Sequence, residues 1–361
     1  MLEMFLQWYR RRFADPQAVA LFSLLVIGFL VIFFFSSILA PLLVAIVLAY
    51  LLEWPTHLLQ RLGLSRVLAV SIILTLFAGI SAMVILIIAP TAWQQGINLV
   101  ADLPNMVNRF SEFARRLPEQ YPALVDAGII DMMADNVRSR LSVVADSVVK
   151  ASVASLIGIF TLAVYLVLVP LMMFFLLKDK EKITKSFLKL LPKNRLLVSK
   201  VWLEMNQQIT NYLRGKVTEM VIVGVFTYIG FAYFDLRYSV LLSVLVGVSV
   251  LIPYIGAVVA TIPVVLVALF QWGIGTEFWS LFIVYLVIQG LDSNIVVPLL
   301  YSEAVNLHPL IIILSVVIFG GLWGFWGVFF AIPLATLIKA VINAWSQDLN
   351  DAEMQDKREE Q

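Results

Sequence analysis

The chain contains no cysteine. That absence excludes a disulfide framework, a thiolate metal site and a thiol nucleophile. Charge is nearly as scarce: Asp, Glu, Lys and Arg make up 14% of the 361 residues, against roughly 25% in an ordinary soluble domain. There are two histidines, His57 and His308, far apart and each flanking an apolar run. They read as interfacial groups rather than metal ligands, since a structural site needs several clustered donors. The sequence has no HExxH, no glycine–lysine–serine/threonine P-loop ending and no GxGxxG, and shows no nucleophile–base pair. Nothing calls for a cofactor, and the chain reads as a non-enzyme.

What the sequence has is apolar length. Hydrophobic residues are 61% of the chain and the mean hydropathy is +0.95. Uncharged runs cover 17–52, 67–101, 151–177, 220–234, 238–276 and 304–338, several beyond the ~18 residues that mark a bilayer span. They lack the period of two that a transmembrane barrel requires. The expected fold is all-α: a polytopic helical membrane protein with about eight transmembrane or partly re-entrant helices, plus amphipathic helices outside the bilayer.

Lys and Arg in short loops favour the cytoplasm. Arg10, Arg11 and Arg12 precede the first apolar run, and Arg61 and Arg66 follow it. The run 17–52 therefore crosses an even number of times, as a hairpin broken near Ser36, Ser37 and Pro41. A span at 67–90 completes N-terminal segments 1–90. Residues 91–153 are near neutral and form an extracytoplasmic amphipathic region, with an apolar stripe in 128–149 and Pro104, Pro118 and Pro122 dividing it into short helices. A span at 154–177 leads to a basic cytoplasmic helical region at 178–216, which carries ten Lys/Arg against three acids and a second stripe, Leu197, Val201, Met205, Ile209 and Tyr212. Topology explains this charge, which fits anionic membrane lipid and carries no nucleic-acid signature. A C-terminal transmembrane core at 217–343 crosses four times, and 344–361 is an acidic, disordered tail. Both termini are expected in the cytoplasm.

Three interrupted stretches hold the candidate site. In "QGLDSNIVVP", 289–298, Gln289 and Asp292 are three apart and share a helix face, with Ser293 and Asn294 beside them. An ionised carboxylate inside the apolar slab costs ~2.5–3.5 kcal/mol on insertion scales, so Asp292 must pair, hydrate or take a proton. Counting crossings puts it in the seventh span, toward the outer half. In "VLIPYIGAVVATIP", 250–263, Pro253, Tyr254 and Gly256 break an overlong run and expose backbone groups. In "FGGLWGFWGVFFAIP", 319–333, Gly320, Gly321, Gly324 and Gly327 offer close helix packing or a hinge, as Pro41 does in the first run. Glu219 and Glu53 read as boundary charges at span ends.

"NYLRGK" at 211–216, "LIPYIGA" at 251–257, "QGLDSNIVVP" at 289–298, "AVNLHPL" at 304–310 and "GFWGVFFAIPLA" at 324–335 occur in an order and spacing that resembles the autoinducer-2 exporter family. The resemblance covers nearly the whole chain. It implies a multi-pass protein of the bacterial inner membrane, a homo-oligomer, with a pentamer fitting the family, and cation/proton antiporters among its relatives. It carries the family's Gln-x-x-acid-x-Asn pattern onto Gln289, Asp292 and Asn294; many relatives have glutamate where this chain has Asp292.

The functional expectation is a permease or secondary transporter exporting a small-molecule solute. A proton or sodium ion is coupled through Asp292, Gln289 and Asn294 orient it, and backbone contacts come from Pro253–Gly256. The alternatives are a channel-like oligomer with a passive pore and a membrane scaffold binding an envelope partner.

Overall fold

The computed structural model describes residues 16–120, 163–189, 196–301 and 307–341. The stripe in 128–149, Pro122 and the acidic tail lie outside the described residues. Every regular element among the described residues is helical. Five helices are long and apolar enough to cross a membrane, and five shorter apolar ones accompany them.

Helix α1 (Pro16–Arg61) consists of two arms that meet at a kink at Phe35, the one residue with non-helical angles. No loop intervenes. The break expected over Ser36–Pro41 falls one residue earlier, and Pro41 lies inside the second arm. A proline removes one intrahelical bond, and in an apolar setting no water competes for the rest.

Helix α2 (Arg66–Gln120) departs further from expectation. It runs 55 residues without interruption, about 80 Å at 1.5 Å per residue. Pro90, Pro104 and Pro118 all lie within it. The expected span at 67–90 is its first half, and the expected short helices after Pro104 are its continuation. Its far part docks onto the C-terminal core. Leu241 N–H donates to Gln95 Oε1 at 2.8 Å, the Tyr238 hydroxyl donates to Asp102 Oδ2 at 2.6 Å, and Met106 is buried with Leu236 and Tyr238.

Helix α3 (Ala163–Lys178) meets α4 (Lys180–Lys189) at Asp179. An ionic cluster binds this junction to the α1–α2 turn. Glu53 receives Arg66 at 3.0 Å, His57 at 2.9 Å and Lys180 at 3.2 Å, and Arg66 also donates to Leu177 O. Glu53 is therefore a buried hub rather than a simple boundary charge.

Helix α5 (Leu196–Tyr233) merges the expected stripe and the expected fifth span into one 38-residue element. The stripe is buried at Val201, Met205 and Tyr212 against the protein's own helices. Exposed Trp202 lies toward one end of α5 and exposed Tyr233 at the other, the placing that aromatic belts give at the two interfaces.

The remaining chain forms two hairpins separated by a broken helix. Helix α6 (Ser239–Ser249) turns through Val250–Tyr254 into α7 (Ile255–Trp272). Gln271 Nε2 donates to Asp235 O, and Arg237 N–H donates to Gln271 Oε1, both at 2.8 Å, so the segment ends beside its own beginning. It was expected to cross once and instead doubles back. Glycine at 256 permits the fold: a Cβ there would lie 1.7 Å from Ser249 O. Helix α6 also approaches α5 backbone to backbone, with a Cβ on Gly247 reaching Met220 O at 2.9 Å and Gly224 Cα at 3.0 Å.

Helix α8 (Thr276–Leu291) continues as a π turn (Asp292–Val296) and then α9 (Val297–Tyr301). The π turn has a local cause. Pro298 has no N–H for Asn294 O and its ring crowds that carbonyl, and Val297 N–H instead reaches Asp292 O, five residues back.

The second hairpin is α10 (Pro309–Trp323), α11 (Phe325–Phe329) and α12 (Ala331–Val341). Gly324 has φ +57, and a Cβ on Gly327 would lie 1.8 Å from Phe319 O. The arms of 15 and 11 residues measure about 22 and 16 Å, short of a ~30 Å hydrocarbon core. The 309–343 segment was expected to tilt, extend or break at its glycines, and it breaks at Gly324 and returns. Two segments that were counted as crossings are thus hairpins, and Asp292 sits in a helix running opposite to the one expected.

Candidate functional site

The site is built on α5. Trp202 to Lys216 is fourteen residues, and Glu219 to Tyr233 is another fourteen, each about 21 Å of helix. The Lys216–Glu219 pair therefore stands at mid-depth between the aromatic ends of α5. On α8, Asp292 lies thirteen residues past exposed Trp279, about 20 Å.

Lys216 and Glu219 are three apart, so they share a face, and both are buried. Lys216 Nζ donates to Glu219 Oε2 at 2.9 Å and to Val250 O at 2.9 Å, on the turn of the first hairpin. Glu219 Oε2 also accepts from the Tyr301 hydroxyl at 2.8 Å. The Tyr301 ring sits 5.4 Å from Lys216 Nζ and 6.2 Å from the Tyr212 ring. Gly215 makes room for it, since a Cβ there would lie 2.6 Å from Tyr301 Cε1. One turn back along α5, the Tyr212 hydroxyl donates to Phe329 O at 3.0 Å, at the end of α11 in the second hairpin.

Asp292 is 8% exposed and lies close enough to feel the charges of Glu219 and Lys216. Its Oδ1 is buried with no hydrogen-bond partner, and so is Gln289 Nε2. This buried acceptor and buried donor lie within one helical turn, and each costs ~1–3 kcal/mol when it lacks a partner. The charges do not balance either: one ammonium faces two carboxylates. No group of three or more His, Cys, Asp or Glu side chains that could hold a metal ion occurs among the described residues.

The structure brings some predicted residues together and separates others. Asp292 and Gln289 stay in the site. Ser293 and Asn294 are exposed, and Asn294 Nδ2 donates to Gly290 O at 2.8 Å instead of orienting Asp292. Residues one and two positions past Asp292 do not share its helix face. Pro253 and Gly256 shape the turn, where Tyr254 takes φ +62 and points outward, 56% exposed. The backbone contact from this turn comes from Val250, and it goes to Lys216. Gly320 packs toward Val328, Gly327 toward Phe319, and Gly321 touches nothing within 4 Å. Lys216 and Tyr301 were not singled out from the sequence as site residues, Glu219 was read as a boundary charge and Tyr212 only as a member of an apolar stripe. The available signal was the three-residue spacing of Lys216 and Glu219 at the mouth of an apolar run, next to Gly215.

A bundle of long apolar helices with two hairpins packed around buried Lys216, Glu219 and Asp292 defines a multi-pass membrane protein. Comparison with known proteins places it more narrowly: a family model described as AI-2E family transporter matches residues 22–347, and the chain belongs to that family. It is 68% identical over 345 residues to the PerM protein of Escherichia coli (strain K12), which is provisionally named a permease, covering 96% of this chain and 98% of that one. It is 25% identical over 315 residues to YueF of Bacillus subtilis (strain 168), provisionally named a transport protein, covering 86% and 84%. YrrI of the same strain, named in the same way, is 24% identical over 308 residues, covering 85% and 86%.

Proposed function

We propose that this chain is a secondary transporter of the bacterial inner membrane that exports a small polar solute, with a proton or sodium ion coupled through Asp292. The observation that carries the reading is the charge count at mid-depth. Lys216 is committed to Glu219 and Val250 O, while Asp292 is buried with an open oxygen. One added positive charge on Asp292 balances the cluster, and a proton or a monovalent cation supplies it. Membership in a transporter family supports the class, and its PerM relative shares nearly the full length.

Both termini are assigned to the cytoplasm from the Lys/Arg distribution over the short loops. Assembly into a homo-oligomer, as the family resemblance implies, belongs to the same reading.

The test uses inside-out vesicles with an imposed proton or sodium gradient and a trapped indicator dye. A panel of small polyols, sugars and amino acids is the probe. A solute that discharges the gradient through the wild-type chain identifies the cargo class, and Asp292→Asn abolishes that discharge. Equal discharge by Asp292→Asn overturns the coupling role.

A further inference from the structure

We propose that Lys216 is the positioning residue that links the charge state of the mid-depth carboxylates to the Val250–Tyr254 turn, and that Tyr212 is its charge-independent counterpart on the second hairpin. The inference rests on the coupling role of Asp292 given above and extends it from where charge is held to what the charge moves.

The geometry is specific. Residues four apart on a helix lie on one face, and on α5 these two donors each hold one backbone carbonyl at one hairpin turn: Lys216 the Val250 O at 2.9 Å, Tyr212 the Phe329 O at 3.0 Å. Both carbonyls lie where the chain leaves helical hydrogen bonding, so each needs a donor from elsewhere. The two clasps differ in chemistry. A tyrosine hydroxyl bonded to a carbonyl is neutral at both ends. The ammonium is shared between a neutral carbonyl and anions, and its hold on Val250 depends on how much negative charge competes for it. Glu219 Oε2 holds the ammonium at 2.9 Å. Asp292 competes only when it is ionised.

Adding a cation or proton to Asp292 therefore leaves Lys216 on Val250 O and the turn held against α5. Removing it adds a second full anion, draws the ammonium toward Asp292 and frees the turn. The other titratable groups facing the ammonium are the Tyr301 hydroxyl, bonded to Glu219, and the Tyr212 hydroxyl, bonded to Phe329 O. Arg214, also on α5, is within the field of Glu53.

The experiment exploits the absence of native cysteine. A single Ile255→Cys substitution, at an exposed position just past the turn, reports turn release by its rate of maleimide labelling in the full chain in proteoliposomes. Each rate is divided by that of a small free thiol at the same pH, which removes the thiolate's own pH dependence. In the Ile255→Cys background this ratio rises several-fold with pH as Asp292 ionises. Asp292→Asn makes it slow and flat. Lys216→Met makes it fast and flat, and Lys216→Arg restores the slope. Lys216→Met combined with Glu219→Gln leaves the net charge of the cluster unchanged, and gives the same fast, flat rate if the single variant fails to fold. A pH slope that survives in both Lys216→Met backgrounds overturns the proposal. If labelling follows Lys216 as described but Asp292→Asn still discharges the gradient in vesicles, the coupling reading fails separately. If Asp292→Asn abolishes discharge while labelling ignores Lys216, this inference alone fails.

Discussion

Tyr212 and Lys216 stand one turn apart on α5, and each donates to the backbone of a different hairpin. The Tyr301 ring lies beside both, 6.2 Å from the Tyr212 ring and 5.4 Å from Lys216 Nζ. Three helical units that are distant in sequence thus meet on one face of a single helix. Removing any of these groups disturbs more than its own bond, because buried polar partners are expensive to leave alone.

Tyr212→Phe keeps the ring and deletes only the hydroxyl. Phe329 O then loses its donor in a buried setting, at a cost of about 1–3 kcal/mol. The expected outcome is a lower apparent melting temperature in detergent with the helical circular dichroism unchanged at low temperature. An unchanged melting temperature would mean that Phe329 O finds another donor.

The hairpin glycines separate sharply. Gly256→Ala and Gly327→Ala put a methyl carbon 1.7 Å and 1.8 Å from the backbone oxygens of Ser249 and Phe319, which no rotamer change relieves. Each should exceed the ~3 kcal/mol usual for overpacking and yield little monodisperse protein on size exclusion. Gly321→Ala meets nothing within 4 Å inside α10 and should be neutral or gain about 0.5–1 kcal/mol from helix propensity. Loss of folding in all three would show that the glycines matter for a reason other than close approach.

Tyr238 links the far part of α2 to the start of α6 through Asp102. Burial, then the hydrogen bond and the negative charge of Asp102, push its phenol up to about 12 from 10.0, with Arg237 acting weakly the other way. The phenol holds its proton more tightly folded than unfolded. Its contribution is therefore complete below pH ~10 and is lost as pH rises from there through about 12. Tyr238→Phe should remove that alkaline step in the stability of the wild-type protein, followed by the unfolding midpoint from pH 8 to pH 12. The same step in the variant would assign it to another group.

Much of this was legible in the chain because it depends on local properties. Pro253 with Gly256, and the glycines from Gly320 to Gly327, mark breaks because proline lacks a donor and glycine lacks a Cβ, whatever surrounds them. Asp292 was conspicuous because a carboxylate is foreign to an apolar run. The misreadings have a common source. Pro41, Pro104 and Pro118 were given the same breaking power, yet α1 and α2 run through them, since one missing bond is tolerated when its neighbours are made. Asn294 was grouped with Asp292 by adjacency and by the family pattern, yet residues two apart on a helix do not share a face, and Asn294 turns instead to Gly290 O.

By itself, then, the sequence determined the solvent, the all-α class, the positions of the two turns and the presence of a costly buried acid. Apolar length, periodicity and residue stereochemistry act over a few neighbours at a time. Only the tertiary structure decided that two apparent crossings double back, and that Glu219 pairs with Tyr301 from 82 positions away beside Lys216 and Asp292. Which charges share a buried site depends on how whole helices pack, and that is fixed by close contacts such as Gly224 against Gly247 and Gly215 beneath Tyr301, which no local pattern in the chain encodes.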